Sequence, residues 1–438
     1  MKKILIISMP FRIGIGGFLR SYYVLPRLTK ILVDNDYEVK LYIPANALRT
    51  YMLYHLPLEA KHDSSMRFNP RNLVDKISES ILDEISELEK KSRYTFVIEE
   101  KFIERNIEYN KGFLLRELSQ KSVNKLYDAI FSKLRPLLIH AYERRFAEEV
   151  RHFFKDHIYG YSMHETPDAV TALATLSSKH VKTAILLQMD LGKKFLEKTV
   201  NIRAFKELNR RTRLTGILSV SPAPVIETPE IFSLTKKVGI LIPGVALRED
   251  ILREATAKEP NSVIYYGRLS VEKGILDLLK SWSVVEKNTD AKLYIAGRFD
   301  AYKTRTMFKK IIEKHRLKRV TYLGYLDRER LVKTVSRFSL LAYPSYRDAF
   351  SMVVLESLAM GLRVIAYDIP AIRYIYQGSR NVEVVPTGNF QLLAQKIIEN
   401  LKKNFEMDDM TTKILSLYSS WKRVTLEEYN CLNKFMNF

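Results

Sequence analysis

The tightest constraint on this chain's fold is the spacing of its short strand-like runs. From residue 262 onward, SVIYYG (262–267), KLYIAG (292–297), RVTYLG (319–324), SLLAYPS (339–345), RVIAY (363–367) and NVEVV (381–385) recur with gaps of helix length. These runs are rich in β-branched and aromatic residues, and the gaps between them exceed a hairpin turn. Strands that alternate with helices pair in parallel and are covered on both faces. The same rhythm runs less evenly through the first half, in ILIIS (4–8), EVKLYI (38–43), HIYGYSM (157–163), VKTAILL (181–187), GILSVS (216–221) and KKVGILI (236–242). Helices are expected at 18–33, 167–178, 195–212 and 390–404. The reading is α/β: two Rossmann-like domains, 1–245 and 246–414, facing a cleft. Residues 44–155 read as a helical insertion in the first domain, with periodic stretches at 71–92 and 111–155 and an extra strand at YTFVI (94–98) left open. Residues 415–438 read as a helix that returns to the first domain.

Composition narrows the classes. Of 438 residues, 46% are hydrophobic and 28% charged, which excludes disorder as the main state. Cys431 is the only cysteine, so an internal disulfide and a cysteine-based zinc cage are both excluded. MKKILIISMP reads as a buried first strand rather than a signal peptide, because Pro10 and Arg12 end the apolar run without a small-residue cleavage site. No apolar stretch approaches the roughly 20 residues that cross a bilayer. The net charge is +21, and residues 301–347 hold 13 Lys or Arg. Such a field attracts nucleic acid, an anionic membrane or a phosphorylated small molecule, and charge alone does not choose among them.

Two segments carry chemistry. In YPSYRDAFSMVVLESLAMGLRV (343–364) a strand ends, a short loop holds Arg347, Asp348, Ala349 and Phe350, and a helix begins near Ser351 and Met352. A helix start offers unpaired N–H groups and positive potential to an anion. Glu356 lies further along that helix, where its carboxylate can accept both hydroxyls of a ribose, while Asp348 reaches a sugar near the loop. The competing reading is that Asp348 caps the helix and Glu356 is solvated. In GRLSVEKG (267–274), Arg268 and Lys273 follow a strand and can turn together toward a diphosphate.

Together these two segments resemble the donor-nucleotide site of retaining glycosyltransferases of family 4, among the glycosyl transferases group 1, which have the GT-B architecture. That family usually has glutamate, glycine and phenylalanine where this chain has Asp348, Ala349 and Phe350, and a second glutamate where it has Glu356. The resemblance implies a hexose transferred with retention from a nucleotide-diphosphate sugar, a UDP or GDP sugar. It implies that Arg268 and Lys273 hold the diphosphate, Glu356 the ribose, and Asp348 with Ala349, Phe350, Ser351 and Met352 the sugar. It also directs attention to GIGGF (14–18), whose Gly16 and Gly17 match a loop approaching the donor phosphates, and to YSMHETPDAV (161–170), where His164 matches an active-site histidine. No cofactor or metal is required on this view. Asp34, Asn35 and Asp36 spell a metal-binding DxD pattern, but their position between a helix and the next strand reads as turn chemistry.

The expected acceptor is a glycan or a lipid-phosphate-linked glycan, with an anionic membrane surface as a further partner and a cytoplasmic, peripheral location. Nucleic acid is not expected, since the cations carry no recognised binding motif. A basic nucleic-acid binder, or a GT-B relative acting as phosphorylase or epimerase, are the alternative functions.

Overall fold

The computed structural model describes residues 1–12, 16–55, 70–92, 100–119, 125–192, 195–248, 251, 258–403 and 405–437. The chain divides into two compact units. The first comprises Met1–Val220, Pro224–Gly244 and Trp421–Phe438; the second comprises Ser221–Ala223 and Val245–Ser420.

The first unit is built on strands β1 (Lys2–Ile7), β2 (Tyr37–Tyr42), β3 (Tyr159–Ser162), β4 (Lys182–Leu187), β5 (Arg213–Ser219) and β6 (Val238–Ile240). They lie in the order β2-β1-β3-β4-β5-β6, every pair parallel. Ile4, Leu5, Ile6 and Ile7 are fully buried, as expected for a strand covered on both faces. Helix Trp421–Met436 packs on β4, β5 and helix Gly16–Val33. It comes so close that a Cβ on Gly216 of β5 would lie 2.2 Å from the Phe435 ring, so only glycine fits there. Within this packing Arg20 and Glu428 form an ion pair, 2% and 0% exposed. Arg20 Nε also donates to the Gly244 carbonyl at 2.7 Å, and the Tyr161 hydroxyl donates to Glu428 Oε1 at 2.7 Å.

The described parts of 44–155 are helical: Ala45–His55, Pro70–Ser92, Glu100–Ser119 and Lys125–Val150, followed by a short 3-10 turn at Arg151–Phe154. Tyr42, Phe102, Phe146 and Phe154 pack ring against ring and join these helices to β2. Glu143 is buried beside them and accepts hydrogen bonds from the Tyr42 hydroxyl at 2.5 Å and the Ala45 amide at 3.0 Å. Burial, reinforced by the nearby Asp168 charge, pushes its carboxyl up to about 8, so it is largely protonated at neutral pH. The strand considered at 94–98 lies outside the described residues.

The second unit holds β7 (Ser262–Tyr266), β8 (Lys292–Ala296), β9 (Val320–Gly324), β10 (Leu340–Tyr343), β11 (Arg363–Tyr367) and β12 (Val382–Val385). Their order is β12-β11-β10-β7-β8-β9, again parallel throughout. The chain runs from β7 outward to β9, then crosses back to lay β10 on the other side of β7. Loops that follow two such central strands diverge to opposite faces and leave a crevice at the carboxyl edge, where α/β sheets bind ligands. In the first unit the equivalent point lies between β1 and β3.

Candidate functional site

The four segments singled out by sequence all emerge at these reversal points. GRLSVEKG follows β7 and YPSYRDAF follows β10, adjacent strands of the second sheet. Gly16 and Gly17 follow β1 and His164 follows β3, adjacent strands of the first.

In the second unit, backbone contacts press the two loops together. Gly274 has φ 71, and a Cβ there would lie 1.8 Å from the Pro344 carbonyl oxygen. Both its left-handed backbone and this approach exclude a side chain. The Tyr346 amide donates to the Glu272 carbonyl at 2.9 Å, and the Tyr265 hydroxyl bridges the carbonyls of Arg268 (3.0 Å) and Lys273 (3.3 Å). Lys273 Nζ then donates across to Asp348 Oδ2 at 2.9 Å and to the Arg347 carbonyl at 3.0 Å. Asp348 also accepts from the Tyr343 hydroxyl and, at Oδ1, from the Ala349 amide at 2.9 Å. Burial alone would raise this carboxyl; the Lys273 charge and these hydrogen bonds outweigh it and leave it below its usual range.

The residues after Asp348 turn inward. Ala349, Phe350 and Ser351 are buried, and the Phe350 ring packs against Tyr418 at 4.8 Å and Tyr376 at 6.5 Å. Ser221 donates to the Ala349 carbonyl, and Tyr376 donates to the Ser351 carbonyl at 2.9 Å. Ser351, at φ 66, is the residue that opens helix Met352–Ala359. Asp348 is therefore not that helix's cap. Nor is Glu356 solvated: it is 7% exposed, and the Arg328 guanidinium meets its two oxygens at 3.1 and 3.2 Å. Arg268 is exposed at the mouth of its loop.

In the first unit, Gly17 and His164 meet around Gln188. A Cβ on Gly17 would lie 3.0 Å from Gln188 Oε1, and Gln188 Nε2 lies 3.3 Å from His164 Nδ1. His164 Nε2 accepts the Met9 amide at 3.2 Å, which makes it the unprotonated nitrogen, and lies 3.0 Å from Ser21 Oγ. Burial, with the Arg20 charge second, lowers the imidazole to about 3, so it stays neutral at physiological pH. Gly16 starts helix Gly16–Val33, while Gly14 of the same loop lies outside the described residues.

The acidic triplet is a turn. Asp34 pairs with Lys30 one helical turn earlier, Asn35 Nδ2 donates to the Ile31 carbonyl at 2.7 Å, and Asp36 takes φ 64 before β2.

Residues 248–414 match the model of the family described as glycosyl transferases group 1. This segment is thus similar to a group 1 glycosyltransferase domain. It contains Arg268, Lys273, Asp348 and Glu356. Over 174 residues the chain is 22% identical to an uncharacterized glycosyltransferase of Methanocaldococcus jannaschii, covering 36% of this chain and 44% of that protein. Over 129 residues it is 24% identical to an uncharacterized glycosyltransferase of Bacillus subtilis, covering 29% and 35%. The alignments thus span less than half the length of these curated relatives. Among solved structures, TarM of S. aureus covers 99% of this chain with 100% of its own at 13% identity and a TM-score of 0.62. Sucrose-phosphate synthase of Thermosynechococcus elongatus covers 100% of both chains at 14% identity and 0.61. HepE of Anabaena, solved with UDP, covers 99% and 100% at 14% identity and 0.56. These likenesses show the GT-B fold.

Sequence reasoning missed Tyr343, Tyr265 and Arg328, the groups that hold the loops and Glu356 in place. Tyr343 lay inside the expected strand SLLAYPS, five positions before Asp348, and the structure ends the strand on it. Arg328 sits among many exposed cations, and nothing in its spacing marks it.

Proposed function

We propose that this chain is a retaining glycosyltransferase that moves a hexose from a UDP or GDP sugar to a glycan or lipid-phosphate-linked glycan. The observation that carries the reading is Lys273, held by Asp348 and the Arg347 carbonyl where the loops after β7 and β10 meet. An ammonium has three N–H donors, and two of them are used in these contacts. The third can meet an oxygen of the donor's diphosphate, and exposed Arg268 can close on the same group. The start of helix Met352–Ala359, which carries no side-chain cap, adds favourable potential for the anion.

In this mechanism the acceptor hydroxyl attacks the anomeric carbon from the face the diphosphate leaves. The new C–O bond forms as the bond to the diphosphate breaks, and the acceptor proton passes to a diphosphate oxygen. Lys273 and Arg268 stabilise the charge that develops there. Glu356 holds the ribose hydroxyls, and Asp348 with the backbone after it orients the sugar. In this reading His164, neutral and fixed by the Met9 amide, orients the sugar and the acceptor. UDP complexes of the fold neighbours TarM and HepE support a nucleotide-sugar donor. The basic balance of the chain supports an anionic membrane surface as the place where a lipid-linked acceptor is met. Among the described residues no helix is long and apolar enough to cross a membrane.

A thermal-shift panel of UDP, GDP and ADP with their sugars tests the reading. One nucleotide class should stabilise the protein, and Glu356→Gln should weaken that binding by about 1.5 to 3 kcal/mol, the range for a lost charge-assisted hydrogen bond. A panel without any shift would remove the donor site. Transfer should also persist in EDTA, because two cations serve the leaving group. Complete loss in EDTA, restored by magnesium or manganese, would contradict that assignment.

A further inference from the structure

Glu356 does not stand alone in its helix. Its carboxylate is 9% exposed and faces the guanidinium of Arg328, which is 23% exposed and engages both carboxylate oxygens. Arg328 is the first residue of helix Arg328–Val335, whose start is fixed by Asp327 accepting the Arg330 amide at 3.0 Å. That helix is thinly packed. Of its side chains only Val332 and Val335 are buried, and a cavity of about 560 Å³ is lined by Thr334 together with Leu323, Leu326 and Phe338. Close packing therefore contributes little to its placement.

Two polar clasps hold it instead. At one end is the Arg328–Glu356 fork. At the other, Lys258 Nζ donates to the Ser336 carbonyl at 2.8 Å and the Met360 carbonyl at 2.6 Å. Ser336 ends helix Arg328–Val335 and Met360 ends helix Met352–Ala359, so one ammonium joins the negative ends of both helices. The helix bearing Glu356 and the helix bearing its partner are thus tied at two points.

We propose that Arg328 is a positioning residue for the nucleotide's ribose: its planar fork sets the orientation of the Glu356 carboxylate, and the Lys258 clasp keeps the two helices in register so that the fork is maintained. Each carboxylate oxygen has two acceptor directions. With one on each oxygen taken by Arg328, the remaining pair has a fixed direction and can receive the 2′ and 3′ hydroxyls together. A lysine cannot reproduce this geometry, because it is a point charge without the two parallel N–H groups.

This inference rests on the proposed ribose role of Glu356, and the test separates the two. Calorimetry is run on the full chain with UDP, GDP and ADP and with the 2′-deoxy form of each. The preference for ribo over deoxy is the readout, since a general loss of stability would weaken both alike. Arg328→Met should weaken the preferred ribonucleotide about tenfold, on the scale of one charge-assisted bond, and leave its deoxy form nearly unchanged. Arg328→Lys, which keeps the charge should the methionine variant fold poorly, should lose most of the same preference. Lys258→Met should shift it in the same direction by about threefold. Combining Arg328→Met with Glu356→Gln should cost no more than Glu356→Gln alone, because both act through one carboxylate. If Glu356→Gln abolishes the preference while both Arg328 variants retain it, Arg328 has no positioning role and the ribose reading stands. If Glu356→Gln leaves the preference intact, or no nucleotide binds the wild type, the ribose reading fails and this inference falls with it.

Discussion

Lys273→Ala should lower sugar transfer about 100-fold, the scale for removing one preorganised charge stabiliser from a leaving group. The loss should appear mainly in kcat, because charge builds on the diphosphate as the bond to the sugar breaks. Lys273 also neutralises Asp348, so the substitution strands a largely buried carboxylate beside Tyr343. The double variant Lys273→Ala/Asp348→Asn provides the control, since it removes that stranded charge while the ammonium stays absent. The comparison is made on variants that melt cooperatively, with each melting temperature measured beside the rate. If Lys273→Ala retains transfer within a few-fold of wild type, the diphosphate assignment is wrong. If the double variant recovers most of the rate, the stranded carboxylate is what costs activity and not the missing cation.

Glu428→Ala should destabilise the first unit by about 3 to 5 kcal/mol, the range for breaking a buried ion pair by removing one partner. Arg20 would keep its bond to the Gly244 carbonyl, but its charge would be left buried without a counter-ion. The chain carries its own reporters for this experiment. Of its two tryptophans, Trp421 stacks on Tyr23 at 4.8 Å in the first unit and Trp282 is fully buried in the second. In a Trp282→Phe background the urea transition seen by Trp421 should move to lower denaturant. In a Trp421→Phe background the transition seen by Trp282 should stay where it was. An unmoved Trp421 transition would mean that Glu428 contributes nothing net to stability.

The alternation of strand and helix was plain in the sequence, and the strands of both sheets fall close to the runs that suggested them. KKVGILI is the loosest, trimmed to Val238–Ile240 at the edge of its sheet. Strand order was not legible, because it depends on where a crossover lands and no residue encodes that locally. Only the observed order places GRLSVEKG and YPSYRDAF after neighbouring strands. The Gly274 contact with Pro344 was likewise invisible, although glycine at that position was part of the motif. Partners far apart in the chain left no trace either: Arg328 finds Glu356, and Arg20 finds Glu428, through tertiary packing and not through spacing. His164 was singled out by the family resemblance of its segment and not by its setting alone, and the Met9 amide that fixes its tautomer left no trace in the sequence.

The split composition of the first unit has a consequence for biosynthesis. Its sheet is translated before residue 244, yet Phe435 and Glu428, which cover Gly216 and neutralise Arg20, come from the segment after residue 420. A ribosome that has released only the first 244 residues therefore presents an unfinished unit, with a glycine-lined sheet face uncovered and an arginine lacking its counter-ion. The intervening 245–420 stretch holds nearly the whole of the second unit and can close around its own core while the first still waits. The part of the protein begun first is completed last, and in that interval the nascent chain has most to gain from a chaperone.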